Sequence, residues 1–117
     1  MTFRYRKYQV YQEALEFHSL IVRITRTFPL DFDYLKKQVR RSSLSVMLNI
    51  AEGSGKNSDK DFRRYIGISL GSANETMSAC EVGLKEKIIN QQDFETIELR
   101  AMNIINQLGG FWKSLKN

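Results

Sequence analysis

The chain has 117 residues, one proline, one cysteine and a formal net charge of +5. This is one domain's worth of sequence, able to bury roughly two-thirds of its unfolded surface without covalent staples, and a lone cysteine excludes an internal disulfide and fits a reducing, cytoplasmic setting. No apolar run approaches the ~18 residues that span a bilayer, and the start Met1-Thr-Phe-Arg-Tyr-Arg-Lys-Tyr8 lacks the apolar segment of a signal peptide, so no membrane partner is expected.

In chain order, a basic arm comes first. Residues 1–7 and Tyr8 interleave Arg4, Arg6 and Lys7 with Phe3, Tyr5 and Tyr8. That mixture suits base stacking and phosphate contact, and it also suits an arm that packs or frays. The first helix is expected over about 8–27, where Val10, Ala14, Phe17, Ile21, Ile24 and Phe28 recur at helical spacing. Phe28-Pro29 ends it, because the residue before proline is pushed out of helical geometry.

The second helix is expected over 33–52, with Asp31 or Asp33 as its cap and Gly53 as its stop. It is apolar on two sides. Leu35, Val39, Val46 and Ile50 form one stripe at ~100° per residue, and Leu44, Met47, Leu48 and Ala51 form another. Gln38, Arg41, Ser45, Asn49 and Glu52 run between them as a polar seam. A surface helix of a small monomer needs one apolar face, so the second side predicts contact beyond the bundle. Lys36, Lys37 and Arg40 form a basic rim to that side, with Asp33 placed to offset Lys37 at i,i+4.

Gly53-Ser-Gly-Lys-Asn-Ser58 resembles part of a phosphate loop, but Ile50 and Asn57 break the pattern and a helix, not a strand, precedes it. Ser58-Asp-Lys-Asp61 then opens a third helix, expected over 59–89. Its core stripe is Phe62, Ile66, Leu70, Ala73, Met77, Leu84 and Ile88, with Cys80 at the edge. The opposite side carries Ile68, Gly71, Ser72, Glu75, Ala79 and Val82, small or apolar around one carboxylate. Asn90-Gln-Gln-Asp93 repeats the cap and opens a fourth helix over about 92–115, with Phe94, Ile97, Ala101, Ile104, Leu108, Phe111 and Leu115 as its apolar set. Four long helices with short loops predict an all-α, antiparallel up-down-up-down four-helix bundle, one domain over 1–117.

Chemistry is sparse. A ferritin-like metal site needs two Glu-x-x-His pairs, and His18 is the only histidine, so neither metal nor cofactor is expected. Cys80, near the core stripe without a histidine in its helix, is read as a buried inert thiol. Glu52 and Glu75 are the one candidate carboxylate pair for acid-base work, with Arg40 and Arg41 available to neutralise them in a structural network instead. No catalytic constellation emerges, and the expectation is a non-enzyme. Cations remain: residues 1–57 hold ten Lys/Arg against five Asp/Glu, and residues 58–117 hold eight of each. An excess of cations attracts polyanions.

The chain resembles the four-helix-bundle family named for the 23S rRNA intervening-sequence protein. The likeness lies in Val10-Tyr-Gln-x-Ala14, Thr27-Phe-Pro29, Gln38-Val-Arg-Arg-Ser-x-x-Ser45, Asn49-Ile-Ala-Glu-Gly53, Ser58-x-x-x-Phe62, Ile68 and Gly71-Ser-x-x-Glu75, in the family's order. Tyr11 stands where the family usually has Trp. The resemblance implies a bundle that assembles as a homopentamer, which would account for the second apolar sides. A related branch, the accessory variability determinants of diversity-generating retroelements, comprises basic pentamers that bind a reverse transcriptase and nucleic acid. On either branch the motif residues Arg41, Asn49, Glu52 and Glu75 look architectural.

The resulting expectation is a homo-oligomeric adaptor that binds RNA or DNA through phosphate contacts from Lys36, Lys37, Arg40, Lys56, Arg63, Arg64, Arg4, Arg6 and Lys7. Its oligomer interface would use Leu44, Met47, Ala51, Ile68, Gly71, Ser72, Ala79 and Val82. Arg41, Ser45, Asn49, Glu52 and Glu75 would form a structural polar network. Two alternatives stay open: a scaffold that recruits a protein such as a reverse transcriptase, and a small hydrolase using Glu52 and Glu75.

Overall fold

Four helices carry nearly the whole chain: α1 (Gln9–Thr25), α2 (Asp33–Ser54), α3 (Asp59–Lys85) and α4 (Gln91–Ser114). They come from a computed structural model that describes residues 3–116; Met1 and Thr2 of the expected arm, and Asn117, lie outside the described residues. The helices alternate in direction and close a ring of neighbours, α1 against α2 and α4, and α3 against α2 and α4. No strand occurs among the described residues. The bundle measures 44 × 26 × 19 Å.

Local chemistry sets most boundaries. Ser58 Oγ accepts from the Asp61 backbone N–H at 3.2 Å, and Asn90 Oδ1 from that of Asp93 at 2.7 Å, so both expected caps form. The start of α2 differs. A 3-10 turn over Leu30–Phe32 leads into it, neither Asp31 nor Asp33 caps it, and Asp33 instead pairs with Lys37 at 2.9 Å. That carboxylate still lies in the first turn, where the helix dipole favours it.

The end of α3 comes four residues early. Lys87 takes a left-handed φ of 63°, its N–H reaches the Leu84 carbonyl at 3.1 Å, and the Ile88 N–H reaches that of Gly83 at 3.0 Å. This is the Schellman ending. Ile88 and Ile89 do not extend the α3 stripe; the chain turns and Ile89 folds back, fully buried, onto Gly83.

Within the core, Phe17, Ile21, Val39, Val46, Ile50, Phe62, Ile66, Ile97, Ile104 and Leu108 are all sealed from solvent. Glu13 accepts from Asn103 and Gln107, tying α1 to α4. The α2–α3 contact is the most extensive, and it is lined by small hydroxyl residues that let two backbones approach. Ser69 Oγ donates to the Val46 carbonyl at 2.7 Å, Thr76 Oγ1 to Ser42 Oγ at 2.7 Å, and the Ser45 and Ser72 hydroxyls meet at 2.8 Å. Each of these buried polar groups has a partner, so burial carries no unmet desolvation cost.

Gly53 belongs to the same contact. It does not stop α2, which runs on to Ser54 with Gly55 as the capping residue at φ −87°. A Cβ at Gly53 would lie 2.8 Å from both Phe62 Cδ1 and the Tyr65 Cβ. Replacing a helix-interior glycine by alanine ordinarily stabilises by ~1 kcal/mol. Here overpacking, at about 1–3 kcal/mol, opposes it, and the Tyr65 Cβ is fixed to the α3 backbone. Gly53→Ala is therefore expected to lower the urea midpoint, with the slope unchanged; a raised midpoint would show that the two helices part without penalty.

Candidate functional site

The antiparallel fold gathers three separate segments at one end of the bundle. Arg4 Nη1 donates to the Ser54 carbonyl at 3.2 Å, and its guanidinium lies 5.4 Å from the centre of the Phe62 ring. Tyr8, Phe62 and Phe111 form a ring cluster with centroids 5.0–5.9 Å apart. The Lys116 N–H donates to the Asp59 carboxylate at 3.2 Å. Residues 3–8, 52–66 and 109–116 thus share one end, and together they hold nine Lys/Arg against three Asp/Glu. That end carries +6, while the rest of the chain carries −1. The charge asymmetry divides by bundle end more sharply than by chain half.

Aromatic rings are interleaved with these cations. The Arg63 guanidinium stacks 3.5 Å from the centre of the Trp112 ring. Tyr65 has Arg64 at 4.6 Å and Lys56 at 5.2 Å. Arg6 lies over Phe3 and Tyr5 at 5.2 and 5.9 Å. The arm is packed: Arg4–Lys7 form a 3-10 turn, and Tyr5 meets Tyr11 at 4.6 Å. Arg4 is spent on anchoring that turn to the C-terminal end of α2, so its expected phosphate role gives way to a structural one. Arg6, Lys7 and Arg64 remain exposed; Lys56 and Arg63 are half-buried against their rings.

The other expected cluster sits elsewhere. Lys36, Lys37 and Arg40 lie at the opposite end, about 30 Å from Lys56 along α2 at 1.5 Å per residue. There, residues 20–40 and 80–95 hold seven Lys/Arg and six Asp/Glu, so that end is nearly neutral. Arg40 is not available to a phosphate. Its Nε donates to Thr25 Oγ1 at 2.9 Å and its Nη2 to the Val22 carbonyl at 3.1 Å, closing the last turn of α1. Lys37 is held by Asp33; that contact pulls the Asp33 carboxyl below and the Lys37 amine above their ordinary values.

A second surface runs along the side of the bundle. Leu44 and Leu48 on α2 are 38% and 51% exposed, and Ile68 and Val82 on α3 are 42% and 41% exposed. Gly71 is exposed beside them, while Ala51, Ser72 and Ala79 are half-buried. Met47 departs from this set, being buried in the core of the bundle. The reason is geometric: α2 lies between α1 and α3, so its buried arc spans Val46, Met47 and Ile50 together. Of the five residues expected to form a polar network, only Ser45 and Asn49 are bonded to each other, Asn49 Nδ2 donating to the Ser45 carbonyl at 2.8 Å. Ser72, expected at the oligomer interface, meets the Ser45 hydroxyl. Glu75 forms a separate pair, accepting from Gln38 at 2.5 Å. Arg41 joins neither; it is exposed and bonds to no side chain among the described residues. Glu52 reaches only Lys56, at 4.0 Å.

Glu52 and Glu75 are not a carboxylate pair. The α2–α3 register sets Ser45 beside Ser72 and Gly53 beside Phe62, which leaves the two acids roughly 16 Å apart along the helices. Cys80 is fully buried, and desolvation pushes its thiol up to about 12. His18 Nδ1 lies 2.7 Å from Ser43 Oγ, and burial, then the Arg40 charge, hold its pKa below the ordinary value. Among the described residues no cluster of three His, Cys, Asp or Glu could hold a metal, and no helix is long and apolar enough to cross a membrane.

Sequence reasoning missed Lys60, Tyr65, Trp112, Lys113 and Lys116 as members of the basic end. The signal was present, since an up-down-up-down topology returns the end of the fourth helix to the start of the first. The pattern of the 23S rRNA-intervening sequence protein family matches residues 6–110. Among curated proteins, none matches. The chain is similar to a crystal structure of a protein of unknown function from the S23 ribosomal protein family of Bacteroides thetaiotaomicron, with 26% identity, a TM-score of 0.81, and 90% of this chain and 99% of that one covered. With the family pattern spanning most of its length, this chain belongs to the 23S rRNA-intervening sequence protein family.

Proposed function

We propose that this protein is a non-enzymatic, homo-oligomeric adaptor that binds RNA through the basic end of its bundle. The observation that carries the reading is the +6 end, where exposed cations alternate with aromatic rings. Such surfaces attract the phosphate backbone and release counterions, giving affinity with little sequence preference. Self-association uses the Leu44, Leu48, Ile68 and Val82 side. That side runs along the helices, so a ring built through it with the helices parallel to its axis points every bundle the same way. All basic ends then share one rim, and the field of each adds to that of its neighbours.

A protein-recruiting scaffold is the second reading. Leu99 and Met102 on α4 stand well out into solvent, on a helix the self-association side does not use. Salt separates the two. Binding of labelled RNA should weaken at least about tenfold between 50 and 200 mM salt if three or more phosphates are contacted; affinity that ignores salt, or no affinity at low salt, contradicts the RNA reading. Labelled DNA of the same length, run alongside, tests whether the 2′-hydroxyl contributes.

A further inference from the structure

We infer that the basic end holds a stacking site for an unpaired nucleobase, in the cleft between the first turns of α3 and the last turn of α4. This rests on the RNA reading above and names the form of RNA it takes. The cleft is lined by Lys60, Asp61, Arg63, Arg64 and Trp112 and has a volume of ≈ 250 Å³. Pockets that enclose a drug-sized ligand span roughly 300–1,000 Å³, so this one accepts a single planar ring and not a whole cofactor. Trp112 is 37% exposed in it, and the Arg63 guanidinium covers one face of the indole, 3.5 Å from the ring centre. An incoming base therefore uses the ring surface that Arg63 leaves open or the outer side of the guanidinium itself. Bases stack on indole rings and on guanidinium planes alike.

The charges around the cleft favour a base inside and phosphates outside. Asp61 puts a carboxylate among the lining groups, which disfavours a bare phosphate there and tolerates a neutral ring. Arg64 and Lys60, also among the lining residues, are exposed and supply positive charge for the phosphates that flank the base. In a duplex every base is paired and stacked, so its rings cannot enter without extrusion. The site therefore prefers single strands.

Trp112 is the chain's one tryptophan, so its emission reports on the cleft directly. Single-stranded and duplex RNA of about 12 nucleotides are titrated into the assembled full chain at low salt, with fluorescence and anisotropy followed together. Single strands are expected to quench the emission and to bind more tightly than the duplex. Trp112→Ala is expected to weaken single-strand binding about 10- to 100-fold without changing duplex binding, and Trp112→Phe to restore most of it by anisotropy. Equal binding of both RNAs with unchanged emission, or a Trp112→Ala variant with full single-strand affinity, overturns the stacking site and leaves the RNA-binding reading in place. Absence of binding to either RNA by the assembled protein overturns both.

Discussion

Phe62→Ala is expected to lower the unfolding free energy by about 3–5 kcal/mol, the range for removing a buried aromatic side chain. Phe62 is 1% exposed, and three elements meet on it. Phe111 packs at 5.1 Å, Tyr8 at 5.9 Å and the Arg4 guanidinium at 5.4 Å. Truncation leaves a cavity bounded by the N-terminal segment Arg4–Tyr8, α2, α3 and α4 at the end where the cations gather. Domains of this kind have about 5–15 kcal/mol in total, so roughly a fifth or more of the stability rests on this ring. Urea unfolding of the variant should show a midpoint lowered by roughly 1–3 M at the slope expected for a chain of this size. RNA affinity should fall with it, because the Arg4–Lys7 turn loses its footing. A loss below about 1 kcal/mol would mean that the end collapses onto the gap and that Phe62 is not its keystone.

Leu48→Asp should dissociate the assembly while leaving the protomer folded. The side chain is half-exposed in the isolated bundle, and a surface substitution of this type changes protomer stability by about 0.5 kcal/mol or less. At an interface the same carboxylate is buried without a partner, at a cost of several kcal/mol for each contact. Light scattering coupled to gel filtration should report a multiple of 13.7 kDa for the wild type and one protomer mass for the variant, with equal helicity by circular dichroism. An unchanged assembly mass would move the interface off this side of the bundle. A wild type already at one protomer mass would remove self-association from the account.

The helices were legible because each has its own local signal. Ser58 and Asn90 are followed three residues later by an acidic residue and then by an apolar run, and both form the caps that spacing predicts. Apolar periodicity found the inward sides of α1 and α4, which bury most of the stripes expected of them, with Ile24, Phe111 and Leu115 half-buried. On α3 the fully buried line runs through Ser69, Thr76 and Cys80, leaving the expected Leu70, Met77 and Leu84 half-buried, because the close α2–α3 approach admits small side chains there. Where the reading strayed, tertiary contacts outweighed local pattern. Ile88 continues the α3 spacing, yet the helix ends at Lys85, and it is Ile89 that becomes buried by turning back onto Gly83. Gly53 looked like a helix stop, and it is a point of close approach to Phe62 and Tyr65. Met47 looked like part of an outward stripe, and the width of the α2 arc between two neighbours takes it inside.

The basic end was half legible. Lys56, Arg63 and Arg64 stand out in sequence, but their grouping with Arg6, Lys7, Lys113 and Lys116 depends on which helix ends meet. Grouping Lys36, Lys37 and Arg40 with them was the natural reading of one helix. It failed because α2 is long enough to carry its two ends apart, and because Arg40 donates to the Val22 carbonyl and the Thr25 hydroxyl at the end of α1. Charge counts along a chain say little about charge counts in space when four helices alternate in direction.

The most direct test compares two charge reversals at opposite ends, by anisotropy of labelled RNA across a salt series. One variant carries Lys60→Glu with Arg64→Glu at the basic end; the other carries Lys36→Glu with Lys37→Glu at the neutral end. Light scattering first confirms that both assemble as the wild type does. RNA recognition by the basic end predicts at least a tenfold loss for the first variant, with the salt slope reduced by about 2, and near-wild-type binding for the second. The reverse order, or equal losses from the two variants, would contradict it.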